Sequence, residues 1–80
     1  MENKKALLLV RQGKKVRVIG FEHHGVSFQR RLQEMGLLPG KIIEVIRNTN
    51  TGPVEVSIMG SHLAIGRGIA AKIIVEELNE

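Results

Sequence analysis

From Lys41 onward the apolar residues fall in short runs of period two, and the links between the runs are brief. KIIEVIRN sets Ile43 and Val45 on one face, with Ile42, Glu44 and Ile46 on the other. VEVSIMG groups Val54, Val56 and Ile58; HLAIG pairs Leu63 with Ile65; IIVEEL pairs Ile73 with Val75. Side chains alternate across a strand, so this period predicts strands with one face on a core. Parallel neighbours would need a crossover of about a dozen residues or more. The loop TNTGP and the Gly60-Ser61 pair are too short for that, so the sheet must be antiparallel. Gly60-Ser61 reads as a two-residue hairpin turn of the II′ kind. RGIAAK is a short helical turn at most.

The upstream half supplies one more strand and one helix. KKVRVIGF puts Val16 and Val18 on one face, with Lys15 and Arg17 opposite, and Gly20 marks a bulge. In EHHGVSFQRRLQEMG the period changes: Phe28, Leu32 and Met35 form a helical stripe. Ser27 is the expected N-cap. Arg30 stands where a capping box would need Glu or Gln. Gly36 fits the left-handed position just past a helix end, and Pro39 forbids resumption. ALLLVRQG reads as an apolar clasp running into a turn at Gly13, and residues 1–6 as a loose, polar lead-in. The expected fold is mainly β: one domain over residues 1–80, built as a small five-stranded antiparallel barrel with one short inserted helix. Closing such a barrel removes exposed strand edges.

The chain has no cysteine and two aromatic residues, Phe21 and Phe28, among 80. Disulfides and thiolate metal sites are excluded, and the core must be aliphatic. The net charge is +4 with a pI near 10.0. Lys4, Lys5, Arg11, Lys14, Lys15 and Arg17 crowd the start, while Glu76, Glu77 and Glu80 close the chain. Such a basic arm suits phosphates, an acidic membrane surface, or simple solvation. No apolar run approaches the ~18 residues of a membrane span, and ALLLV is shorter than the ~7–15 residues of a secretory core. The expected location is the cytoplasm.

Catalytic constellations are not found. There is no Asp, so no Ser-His-Asp triad. GRG at Gly66–Gly68 lacks the Lys-hydroxyl ending of a phosphate loop, and the glutamates are scattered. No cofactor is implied. His23, His24 and His62 are the candidate metal ligands besides carboxylates. Adjacent histidines on a strand point apart; in a loop they can join with Glu22 or His62. No zinc or iron spacing is present, so no metal site is assigned. Nucleic-acid barrels stack bases on aromatics beside a basic groove. Without Trp or Tyr, only weak, salt-sensitive phosphate attraction is expected.

The segment RLQEMGLLPG, Arg31 to Gly40, concentrates what remains. Leu37 reads as a clasp packing back on the last helical turn. Leu38, with Met35, reads as part of an apolar contact patch. RLQEMGLLPGKIIEVI, followed by VEVSIMGSHLAIGRGIAAKIIVE, closely resembles the FeoA family. Arg31, Leu32, Met35, Gly36, Leu37, Pro39 and Gly40 carry the corner; Gly60, Leu63, Ala64, Ile65, Ala70, Ile73 and Val75 carry the rest. The resemblance spans about residues 13–77 and departs at GRGI, where many relatives are charged.

The resemblance implies an SH3-like barrel with an inserted helix. It also implies an accessory or regulatory role in bacterial ferrous iron uptake, without enzymatic activity. The implied partner is a FeoB-like membrane transporter with a cytoplasmic GTP-binding domain, which would recruit the chain to the inner face of the membrane. Similar domains end iron-dependent repressors, but this chain has no room for their helix-turn-helix. No family metal ligand maps onto the histidines. The candidate partner-binding residues are Arg30, Arg31, Met35, Leu37 and Leu38, and the same patch is a candidate surface for self-association. The alternatives are a nucleic-acid-binding barrel and a transition-metal-sensing module using the histidines.

Overall fold

The computed structural model describes residues 4–22 and 25–78. The strands are β1 (Lys4–Ala6), β2 (Lys15–Phe21), β3 (Ile42–Arg47), β4 (Val54–Ile58), β5 (Ser61–Ile65) and β6 (Ile73–Glu77). Helix α1 (Val26–Glu34) lies between β2 and β3, and α2 (Arg67–Ala70) lies between β5 and β6. A 3-10 turn, Leu7–Leu9, follows β1. The strands form one sheet in the order β1-β6-β2-β3-β4-β5, with every pairing antiparallel. β1 and β5 end the ladder, so the SH3-like sheet wraps its core without hydrogen-bonding its two edges together.

The sheet has six strands where the alternation predicts five. Lys4–Ala6 pairs with β6 at Lys4↔Glu76, Lys5↔Val75 and Ala6↔Ile74. Three residues cannot carry a period, so this strand exists through a partner seventy residues away. The pairing also unites the basic start with the acidic end. Lys5 Nζ lies 3.0 Å from Glu77 Oε2, and Arg17 lies 4.0 Å from Glu76. Residues 1–3, the rest of the expected lead-in, fall outside the described residues.

The core is aliphatic, as the composition requires. Leu7, Val10, Val16, Val18, Leu32, Leu37, Ile43, Val45, Val54, Val56, Ile58, Ile65, Ala70, Ile73 and Val75 are buried, and no polar side chain is buried with them among the described residues. Fully burying each branched side chain contributes about 1.5–3 kcal/mol. Phe21 and Phe28 stay half-buried and meet edge to face, with centroids 6.3 Å apart and an 81° interplanar angle. They brace α1 against β2.

Local signals set most boundaries. The bulge falls at Gly20, where the β2–β6 register shifts after Val18. A second shift, between Val45 and Arg47, has no glycine to announce it. Helix α1 begins at Val26, one residue before the expected Ser27 cap. Gly25 occupies the cap position in extended conformation, and no side chain caps the helix. The β4–β5 turn is Met59-Gly60 instead of Gly60-Ser61. Ile58 pairs with Ser61, and Met59 and Gly60 have φ of 50° and 84°. Two positive φ values make a type I′ turn, whose twist suits a hairpin.

A groove at the helix corner

The corner is built by the stop signals after α1. The Leu37 N–H donates to the Leu32 carbonyl at 2.9 Å, and the Gly36 N–H to the Gln33 carbonyl at 3.0 Å. With Gly36 at φ 84°, this is a Schellman motif, which satisfies the last helical carbonyls. Leu38–Lys41 then closes as a β-turn. The Lys41 N–H donates to the Leu38 carbonyl at 3.1 Å, and Gly40 has φ 95°. The turn is stapled to β2: Gly40 N–H donates to Val18 O at 2.7 Å, and Val18 N–H donates to Lys41 O at 2.8 Å.

These bonds send the two leucines in opposite directions. Leu37 is fully buried and Leu38 is 37% exposed. Leu37 therefore supports the corner from inside, as a clasp, and offers no surface of its own. Met35 is half-buried against the core. Arg30 and Arg31 lie exposed on α1.

The exposed part of the corner lines a groove of about 370 Å³. Met35, Gly36 and Leu38 form one wall; Ile58, Met59 and Ser61 of the β4–β5 hairpin form the other, with Lys41 beside them. Met59 is 82% exposed, and the Lys41 ammonium approaches its sulfur at 3.9 Å. On its far side Leu38, with Phe21, Gln29, Gln33 and Pro39, borders a second hollow of about 250 Å³. Leu38 is thus a ridge between two hollows. The sequence reading placed Met35 and Leu38 here and missed Met59, Ile58, Ser61 and Lys41. Gly60 signals a turn here, but nothing local in the sequence ties Met59 to the corner.

The groove offers aliphatic and thioether surface with one ammonium group, which suits an apolar side chain flanked by negative charge. His62 is exposed on β5, far from any set of ligands: no cluster of three or more His, Cys, Asp or Glu occurs among the described residues. His23 and His24 lie outside those residues. No described helix is long and apolar enough to cross a membrane.

Among the described residues, six antiparallel strands, two inserted helices and an aliphatic core define a small SH3-like domain. The FeoA domain model matches residues 5–77, and the chain belongs to that family. A curated relative from Methanocaldococcus jannaschii, "Putative Fe(2+) transport protein A", is 51% identical over 53 residues, which are 66% of this chain and 63% of the relative. The matched region therefore spans less than two thirds of that relative's length. A crystal structure described as an iron uptake regulatory protein (FeoA) superposes with a TM-score of 0.87 at 32% identity, covering 94% of this chain and 99% of the other. A manganese-dependent transcriptional repressor shares the fold at 19% identity and a TM-score of 0.85, over 98% of this chain and 44% of its own.

Proposed function

We propose that this chain is an accessory protein of ferrous iron uptake that docks on a FeoB-type transporter at the cytoplasmic GTP-binding domain. The observation that carries this reading is the split of the Leu37-Leu38 pair. In this chain the corner places Leu37 in the core and holds Leu38 outward. A rigid backbone presents it beside a hairpin tip that adds a second large apolar side chain. Soluble proteins seldom gather exposed apolar groups around one groove without a use for them. The names of the relatives, which refer to Fe(2+) transport and iron uptake, supply the biological setting.

Leu38, Met35 and Met59 form the contact centre, where burial contributes most. Lys41, with Arg30 and Arg31 on α1, favours an acidic surface on the partner and speeds encounter. In this reading the chain supplies shape and charge, the transporter supplies nucleotide chemistry, and docking holds the chain at the membrane.

Titration calorimetry of the purified chain against the soluble domain of its cognate transporter tests the proposal. Leu38→Arg is expected to lower affinity by more than about fivefold, since a central contact typically contributes about 1 kcal/mol or more, while leaving the folded spectrum intact. Unchanged affinity in that variant, or no binding by the parent protein, would remove the groove as the docking site.

A further inference from the structure

The basic start of the chain forms a second surface, separate from the corner groove. In the 3-10 turn after β1, residues three apart lie above one another. Leu7 and Val10 are both fully buried, so Leu9 between them is turned outward and is 69% exposed. The turn is not a loose tip. The Asn48 side-chain amide donates to the carbonyl of Leu8 at 2.9 Å and to that of Val10 at 2.7 Å, clamping the backbone on both sides of Leu9.

The next four residues fix two cations beside this leucine. Arg11–Lys14 is a turn with Gly13 at φ 93°. It is tied to β3 by the Gly13 N–H donating to Val45 O at 2.6 Å and the Val45 N–H donating to Lys14 O at 2.9 Å. Two hollows flank Leu9. One holds Lys5, Arg11, Lys14 and Glu77; the other holds Arg11 again, with Arg67 beside Asn48. Lys5 is engaged with Glu77, and the Arg67 guanidinium donates to the Thr49 carbonyl at 2.6 Å. Exposed Arg11 and Lys14 carry the charge outside those contacts.

We infer that this face binds the surface of an anionic lipid bilayer. Leu9 enters the boundary between headgroups and acyl chains, and Arg11 and Lys14 meet lipid phosphates. An apolar residue ringed by basic ones gains from both the interior and the charge of such a surface. A nucleic acid would use the charge alone, because an aliphatic tip is no stacking platform. The clamped backbone matters here, since a preordered leucine loses little freedom on insertion. Contact through one leucine and a few cations is weak and reversible, which suits a protein held at a membrane by a second attachment.

Flotation of the intact protein with vesicles tests the inference without any transporter, so its outcome is independent of the docking proposal. At low salt the protein should float with vesicles containing equal parts phosphatidylglycerol and phosphatidylcholine and stay behind with pure phosphatidylcholine. Excess glycerol phosphate in solution should not release it. Neutralising Arg11 and Lys14 together, Arg11→Gln with Lys14→Gln, should lower partitioning about thirty-fold, taking about five-fold per basic residue. Leu9→Gln should lower it about ten-fold through lost apolar burial. Both changes are at exposed positions and should leave thermal unfolding in place. Equal behaviour on the two vesicle types would overturn the inference, as would full binding by Leu9→Gln. So would release by glycerol phosphate or by an oligothymidylate at matched phosphate concentration.

Discussion

The side-chain amide of Asn48 donates to the backbone carbonyl of Val10 at 2.7 Å, across thirty-eight positions of sequence. The same amide reaches Leu8, so one residue after β3 holds the turn that seals the core with Leu7 and Val10. Asn48→Ala leaves two carbonyls without this donor. The expected loss is about 1–3 kcal/mol. It should appear as a lower midpoint in thermal unfolding, by roughly 4–8 °C for each kcal/mol in a domain this small.

Gly36 tests the helix stop. Its φ is 84°, yet a Cβ there would meet only Ile58 Cδ1, at 3.8 Å, an ordinary contact. The cost of Gly36→Ala is therefore conformational, about 1–2 kcal/mol. Asn tolerates the left-handed region better, so urea midpoints should fall in the order Gly, Asn, Ala. Equal midpoints for the two variants would mean that a different strain dominates.

Met59 sets stability against contact. It is the one non-glycine residue with positive φ among those described, and its side chain is almost wholly exposed. Asn-Gly is the preferred type I′ pair. Met59→Asn should stabilise the domain by about 1 kcal/mol while weakening transporter binding, measured on the same preparation. A gain in both would remove Met59 from the contact surface.

The Lys5–Glu77 ion pair joins the two edges of the charge distribution, with both side chains partly exposed. A double-mutant cycle of Lys5→Ala and Glu77→Ala should return a coupling of about 0.2–1 kcal/mol. Repeating it at high salt should shrink that value, because exposed charges are screened.

The strands and the helix stop could be read from sequence because their causes are local. Ile43 and Val45 alternate with Ile42 and Ile46 on a two-residue period, and Gly36 and Pro39 act through their own dihedrals. Lys4–Ala6 is a strand only because Glu76, Val75 and Ile74 lie opposite, which no short window reveals. The hairpin was misplaced by one residue because a glycine signals positive φ without saying which neighbour shares it. For the candidate site, a two-leucine run does not state which member turns outward; the carbonyl of Leu32 decides that by holding the Leu37 amide. Met59 reaches the corner only after β4 and β5 have paired, so its role depended on tertiary structure.

The opposition of Lys4 and Glu76 has a practical consequence. Residues facing each other across an antiparallel ladder have α-carbons about 4.5–5.5 Å apart, so the polypeptide enters and leaves this fold at neighbouring points. A short linker joining these two positions would suffice to graft the sheet between them into a surface loop of a host.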